Sequence, residues 1–133
     1  MSKAARVADH PVHELFLARW SPHELTGDPL PLDELLSMLE AARWAPSADN
    51  AQPWRFVYAR PGGALWAPLQ ALLRPVNQAW ADRASALVLL LSSTGHQGRN
   101  NHAHAFDAGA GGAPPGRAGA GRGGGGAAMG GVG

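Results

Sequence analysis

The chain has 133 residues, the size of one ordinary domain, and 11 Lys and Arg against 10 Asp and Glu give it a formal net charge of +1. The lack of cysteine excludes disulfide frameworks, thiolate nucleophiles and cysteine-ligated metal sites, and the small charge argues against binding to many phosphates. The longest purely apolar run, 86–91, is too short for a membrane span of about 20 residues, and the N-terminus lacks the apolar stretch of a secretory signal. We therefore expect a cytoplasmic protein that binds neither nucleic acid nor membrane.

The first predicted elements are two helices that follow a flexible N-terminus at residues 1–10. Pro11 is tolerated in a first helical turn, and apolar residues follow it at helical spacing, so a short helix is expected to end near Arg19. A second helix is predicted by leucines at positions i, i+3, i+4 and i+7, namely Leu32, Leu35, Leu36 and Leu39. It must end at or before Ala45, because Pro46 disfavours a helical conformation at the residue before it.

Strands and helices alternate in the next part of the chain. The segment 54–59 is aromatic and β-branched and precedes a Pro-Gly-Gly turn, which predicts a strand. Leucines between 65 and 73 predict a helix that breaks at Pro75, and 77–83 is expected to form another helical turn or two. The apolar run 86–91 is typical of a strand buried on both faces. Because the strands are not in simple hairpin order, we expect an α+β fold with helices around a sheet.

Composition changes abruptly near Asp107. Of the 18 glycines, 13 lie between 109 and 133, and every Trp, Phe, Tyr and Leu precedes that segment. Residues 111–128 are only Gly, Ala, Pro and Arg, which offer little apolar surface to offset backbone ordering. We therefore predict a domain at 11–107 and a disordered tail at 108–133. Translation of GC-rich DNA out of frame is one hypothesis for this tail, and RNA binding through Arg117 and Arg122 is another.

The segment Arg19-Trp20-Ser21-Pro22-His23 is the first candidate site. A guanidinium, a hydroxyl and an imidazole within five residues can converge on one phosphate, since guanidinium groups and hydroxyls both donate to phosphate oxygens. The alternative is an exposed helix end, at which Arg19 complements the C-terminal dipole. The segment by itself favours this alternative.

The polar loop between the second helix and the first strand is the second candidate site. Ser47, Asn50 and Gln52 stand between two regular elements, where ligands are commonly held, and prolines on both sides stiffen the loop. Amides and a hydroxyl without a strong acid or base suit a heterocycle or a sugar alcohol, which indicates a cofactor cradle rather than a hydrolytic site. A capped loop that only connects helix to strand is the equal alternative.

Together, Arg19-x-Ser21 and the sequence Ala-Pro-Ser-x-x-Asn-x-Gln-Pro-Trp-x-Phe at 45–56 resemble the FMN-dependent nitroreductase family. The resemblance extends to Asn77-Gln78-x-Trp80 and Phe106-Asp107-Ala108-Gly109, and so covers residues 10–110. It implies a central sheet wrapped by helices, incomplete in this chain, and a homodimer with FMN at the subunit interface. It also implies hydride transfer from NADH or NADPH to FMN, and then to a nitro compound, a quinone or a similar small-molecule acceptor.

The resemblance also implies roles for individual residues. Arg19 and Ser21 would bind the FMN phosphate and nearby ribityl oxygens, with main-chain contacts from Trp20. Pro46 and Ser47 would lie along the isoalloxazine, Asn50 and Gln52 would hydrogen-bond the flavin or its ribityl chain, and Asn77 would reach the ring edge. Met129-Gly130-Gly131 matches a tripeptide near the flavin in relatives. No catalytic acid or base is then required, because the flavin carries the redox chemistry.

Three departures from the family pattern favour an alternative in which the chain is not an active flavoprotein. His23 stands where the family often has a second arginine, and a neutral imidazole holds phosphate less firmly. The family's apolar helix after Asp107 is replaced by the Gly/Ala/Pro/Arg tract. Relative to Ala, each Gly there lowers the stability of a helix by about 1 kcal/mol and each Pro by about 3 kcal/mol. The family's further strand and phosphate-clamping basic residue have no counterpart before Gly133. The alternative is therefore an inactive, truncated or frame-shifted relative without stable flavin binding; an RNA-binding module is a weaker one.

Three histidines form a last cluster, at His96, His102 and His104. Three imidazoles could hold zinc or copper. Asp107 is the one acidic residue close to them in sequence that could orient such ligands, and the segment is polar and contains Gly. We therefore expect no metal site here.

Overall fold

A computed structural model of the chain describes residues 6–18, 21 and 24–121. Its helices and strands interleave to give an α+β fold, as the sequence predicts. In chain order the elements are α1 (Glu14–Ala18), α2 (Leu32–Arg43), a 3-10 turn (Ala48–Asn50), β1 (Trp54–Ala59), α3 (Trp66–Ala71), α4 (Pro75–Ala81), β2 (Leu87–Ser92), β3 (Gly95–His96), β4 (Arg99–Asn100) and α5 (His104–Gly121). None of the helices in the described ranges is both long and apolar enough to cross a bilayer.

Helix α2 leads directly into the polar loop that is the second candidate site. Two carboxylates in its first turn complement the helix dipole, and its inner face buries Leu35 and Ala42. The helix ends at Arg43, and Trp44 is its C-cap, so the predicted stop before Pro46 is confirmed. Helix α1 covers Glu14–Ala18, and Arg19, near which its end is predicted, lies outside the described residues.

The larger sheet consists of β1 and β2, which pair antiparallel from Trp54↔Ser92 to Ala59↔Leu87. The prediction of β1 is confirmed residue for residue. Helices α3 and α4 connect the two strands, and they pack Leu69 and Ala81 against the Ala59–Leu87 end of the sheet. This small core leaves the other end of the sheet, at Trp54 and Ser92, next to the candidate loop.

The prediction that the second strand is buried on both faces is wrong. Leu87 is buried, but Val88 and Leu91 are 42% and 47% exposed. Helices α3 and α5 pack against β2, and no element in the described ranges covers these two side chains. A continuous apolar run predicts the strand, but its burial depends on what packs over it.

A short hairpin, β3–β4, occupies part of the segment that carries the histidines. Its two central residues, Gln97 and Gly98, have φ values of 50° and 75°. Positive φ at both central positions is typical of the type I′ turn, whose twist matches that of paired strands.

Helix α5 differs from the predicted disordered tail, because it runs from His104 to Gly121 and crosses the boundary predicted at residue 107. Asp107 and Ala108 are buried. A Cβ built on Gly111 would stand 3.2 Å from Trp54 Cε3 and 3.5 Å from the Ala42 carbonyl, so the missing side chain lets α5 approach β1 and α2 closely. Tertiary packing thus outweighs the low helix propensity of this stretch. Residues 122–133, including Arg122, lie outside the described part of the chain.

Candidate functional site

The candidate site is built on the proline-flanked loop, residues 46–53. Three residues of this loop other than glycine have left-handed backbone conformations: Asp49, Asn50 and Gln52, with φ of 51°, 52° and 45°. Such a conformation costs an L-residue roughly 1–2 kcal/mol, although Asn and Asp tolerate it better than most. The loop therefore needs its surroundings to hold it in this shape.

The first part of the loop is held by two hydrogen bonds to side chains. Ser47 is extended and precedes the 3-10 turn, but its hydroxyl does not cap that turn. It accepts a hydrogen bond of 3.0 Å from the backbone N–H of Gln52. The backbone N–H of Ala48 donates to Asp107 Oδ2 on α5, also at 3.0 Å. The loop is thus closed on itself by Ser47 and attached to α5 by Asp107.

The end of the loop is attached to the sheet. Pro53 is fully buried, and its carbonyl accepts a hydrogen bond of 2.8 Å from the Ser93 amide. The guanidinium of Arg55 donates to the carbonyl of Gln52 at 3.1 Å and to that of Trp54 at 2.7 Å. The loop is therefore fixed at both ends, to α5 and to the sheet.

The exposed side chains of the loop supply neutral hydrogen-bonding groups. Gln52 Nε2 donates to Asn50 Oδ1 at 3.1 Å, which leaves Asn50 Nδ2 as a donor and Gln52 Oε1 as an acceptor. The hydroxyl proton of Ser47 is a further donor, since the Ser47 oxygen acts as acceptor toward Gln52. The donors and acceptors of these three uncharged side chains fit a flavin ring, which presents both carbonyls and an N–H, and the ribityl hydroxyls beside it. The same loop also exposes one carboxylate, that of Asp49.

The structure places the remaining predicted site residues as follows. Ser21 is exposed and follows α1, a helix that packs against α5, as the loop does. Asn77 is half-buried on α4, which packs at the Ala59 end of β1, opposite the end at which the loop enters. The others, Arg19, Trp20, His23, Met129, Gly130 and Gly131, lie outside the described residues. The site roles of all these residues stay predictions.

Two features of the site were missed by the sequence reasoning. One is the bond from Asp107 to this loop; the sequence marked Asp107 as part of the match at 106–109 and as the acidic residue closest to the histidines. The other is a surface cluster of Glu40, Arg43 and Trp44, directly before the loop. Arg43 donates to both carboxylate oxygens of Glu40, at 3.0 and 3.2 Å, and the indole N–H of Trp44 donates to Glu40 Oε1 at 3.0 Å. The i, i+3 and i, i+4 spacings were the available signal.

This cluster changes the acid–base properties of its members. The hydrogen bond from Arg43, and then that from Trp44, lower the pKa of Glu40, and the same contact raises the pKa of Arg43. The indole of Trp44 remains 77% exposed while its N–H is fixed. An oriented apolar ring therefore lies on the surface beside the loop.

The three histidines do not converge. His96 is on β3, His102 is exposed, and His104 begins α5, where its Nδ1 lies 2.7 Å from the hydroxyl of Ser92. Within residues 6–18, 21 and 24–121, no three His, Cys, Asp or Glu side chains are arranged to hold a metal ion.

Comparison with known proteins assigns the family. A family model described as the Nitroreductase family matches residues 17–114. The chain belongs to the nitroreductase family. The comparison with curated proteins found no match.

Solved structures of the same fold support the assignment of this chain to the nitroreductase family. One, described as an oxidoreductase containing FMN, is 42% identical with a TM-score of 0.80, over 90% of this chain and 63% of that one. A candidate nitroreductase from Desulfovibrio desulfuricans in complex with FMN is 25% identical with a TM-score of 0.69, over 84% of this chain and 63% of that one. A nitroreductase family protein from Streptococcus pneumoniae, 21% identical with a TM-score of 0.67 over 83% of this chain and 72% of that one, shares the fold. The chain thus spans less than two thirds of the length of the first two structures.

Proposed function

We propose that this nitroreductase-family chain binds FMN at the proline-flanked loop and acts as an FMN-dependent NAD(P)H oxidoreductase. Bound FMN would accept a hydride from NADH or NADPH and pass it to a nitro compound, a quinone or a similar small-molecule acceptor. The chain's own residues would bind and orient the cofactor, and no protein acid or base is assigned a catalytic role. The protein would work in the cytoplasm as a homodimer.

The observation that carries this proposal is the conformation of the loop. Three left-handed residues within 49–52 are held in place by Ser47, Asp107 and Arg55. Strained backbone that its surroundings hold in place is concentrated at ligand sites, and a loop that is already ordered loses less entropy on binding. The 42% identical structure described as containing FMN supports a flavin as the ligand.

The residue roles that we propose are those that the sequence pattern suggests. Ser47, Asn50 and Gln52 would hydrogen-bond the ring and ribityl chain, with Pro46 along the ring and Asn77 at its edge. The phosphate would be bound by Arg19 and Ser21, with Trp20 and His23 beside them. The tripeptide 129–131 would complete the surroundings of the flavin.

The surface of the described helices supports a homodimer. Large apolar side chains are exposed on α1, α2, the end of α2 and α5, namely Phe16 (58%), Leu36 (44%), Trp44 (77%) and Phe106 (82%). These helices pack together, since α5 contacts both α1 and α2. Large apolar side chains exposed on neighbouring helices are what a second subunit could cover.

Spectroscopy of the purified full chain tests the proposal. We expect visible flavin absorption, release of FMN on denaturation, oxidation of NADH or NADPH with a quinone or nitro acceptor, and a dimeric mass in sedimentation. Arg19→Ala should weaken FMN retention more than Lys3→Ala, because a guanidinium is suited to phosphate. A colourless protein that FMN does not reconstitute would support the inactive relative instead, and salt-sensitive RNA binding lost on deletion of 111–133 would support an RNA-binding module.

A further inference from the structure

Asp107 is a buried acid that the proposed chemistry does not use. It is 4% exposed and lies in the first turn of α5. Its Oδ2 accepts a hydrogen bond of 3.0 Å from the backbone N–H of Ala48, 59 residues earlier in the chain. A buried carboxylate requires such partners, and bonds that involve an ionised group are the strong ones.

The position of this bond in the loop explains why it matters. Ala48 is the first residue of the 3-10 turn, and its N–H, like the others at the start of a helix, has no partner within the turn. Asp107 supplies that partner from α5. The hydroxyl of Ser47 accepts from the backbone N–H of Gln52, beyond the turn, and so closes the loop around the left-handed residues Asp49 and Asn50.

The close packing of α5 against β1 makes the bond between Asp107 and Ala48 possible. Gly111 lies one helical turn after Asp107, and a Cβ there would meet the ring of Trp54 at 3.2 Å. Trp54 follows Pro53, the last residue of the loop. The helix that carries Asp107 is therefore seated against the same strand into which the loop leads.

We propose that Asp107 is a positioning residue that holds the proline-flanked loop in its ligand-binding conformation through the N–H of Ala48. The identity of the ligand, FMN, rests on the proposed function. The structural part of the proposal does not, because it concerns a bond within the protein. Asp107 acts through the backbone of Ala48, which sets the positions of Asn50 and Gln52.

Three variants of the full chain test this role. Asp107→Ala removes the acceptor, and Asp107→Asn keeps an oxygen that can accept the Ala48 N–H. Ala48→Pro removes the donor at a position where Pro is favoured, after an extended Ser47 (φ −146°, ψ 152°). Its Cδ takes the place of the amide hydrogen and would stand against the Asp107 carboxylate, so it is also made in the Asp107→Ala background, where that contact is absent. Asp33→Ala is the matched control, since Asp33 is also an acid in the first turn of a helix but is exposed.

Two measurements are made on each variant. In the apo protein, we expect amide hydrogen exchange at residues 49–52 to be faster by about tenfold or more in Asp107→Ala and Ala48→Pro, with exchange in α2 unchanged. FMN titration by fluorescence quenching should show a dissociation constant raised by about tenfold or more in the same two variants. Asp107→Asn should have loop exchange and an FMN dissociation constant close to those of the wild type, and Asp33→Ala should match the wild type in both. The effects of Asp107→Ala and Ala48→Pro should not add in the double variant.

The outcomes separate the two proposals. If the wild type binds no FMN, the proposed function fails, and exchange in the apo protein still decides the role of Asp107. Unchanged loop exchange in Asp107→Ala, equal acceleration in α2, or additive effects in the double variant would each overturn the positioning role. If Asp107→Ala does not fold, Asp107→Asn and Ala48→Pro decide. Wild-type loop exchange in Ala48→Pro overturns the role, and faster exchange confined to 49–52 in Ala48→Pro together with near-wild-type exchange in Asp107→Asn supports it.

Discussion

Gly111 lies against the indole of Trp54, and the distance of 3.2 Å from a Cβ built on Gly111 to Trp54 Cε3 is too short for a side chain to fit without movement. The ring is itself buried, at 5% exposure, so it has little room to move. The contact thus sets how closely α5 can approach the start of β1 and the loop before it.

Glycine substitutions in α5 should separate helix propensity from packing. Gly109→Ala should raise the free energy of unfolding by about 0.5–1 kcal/mol, because Ala favours the helix and nothing lies within 4 Å of its Cβ. Gly111→Ala should lack this gain, and Gly111→Val should lower stability by roughly 1–3 kcal/mol through overpacking against Trp54. Urea denaturation measures all three. Equal stabilisation at both positions would show that α5 does not pack as described.

The bond between Ser92 and His104 should contribute to stability. It joins the end of β2 to the start of α5 over 2.7 Å in a partly buried position. Ser92→Ala should therefore lower the free energy of unfolding by about 1 kcal/mol, since it leaves a ring nitrogen without its partner. His102→Ala, at an exposed neighbouring position, is the control and should be close to neutral in the same urea titration. The prediction fails if the two variants are equally stable.

Gln52 should show a conflict between stability and ligand binding. Its φ of 45° is strained for glutamine, so Gln52→Gly should raise the free energy of unfolding by up to about 1 kcal/mol. Gln52→Ala keeps the strain and should not gain stability. Both variants lose the side-chain amide and should bind FMN more weakly than the wild type. Urea denaturation would measure the free energy of unfolding, and fluorescence titration would measure the affinity for FMN. Wild-type FMN affinity in both variants would remove Gln52 from the proposed site.

The Glu40 cluster should give a pH signature close to the loop. Because the pKa of the folded-state carboxyl is lowered from 4.5, the bonds from Arg43 and Trp44 are complete above that pH and are lost as the pH falls through the lowered pKa. The indole N–H resonance of Trp44 should therefore stay constant from neutral pH to about 4.5 and shift at lower pH. Arg43→Ala removes the largest cause of the shift, so its midpoint should move up toward 4.5. A midpoint at or above 4.5 in the wild type would contradict these contacts.

Rules that act between near neighbours in the sequence predicted much of this fold. Leucine spacing and Pro46 define α2 and its end, and the aromatic and β-branched residues of 54–59 define β1. The polar loop between them was singled out because Ser, Asn and Gln stand between a helix end and a strand start, with a proline on each side. In each of these cases the physical cause lies within a few residues of its effect.

Properties that depend on distant residues needed the tertiary structure. The exposure of Val88 and Leu91 is set by which helices lie over β2, and the close approach of α5 to Trp54 and Ala42 is made at Gly111. The glycine that counts against a helix in the sequence is the residue that permits this packing. Likewise, the role of Asp107 exists only because folding brings its carboxylate to the N–H of Ala48, and no local pattern encodes a hydrogen bond between positions so far apart in the chain. The sequence by itself thus determined α2, β1 and the residue types of the loop, because their causes are local, while the tertiary structure decided the extent of α5 and what holds that loop in place.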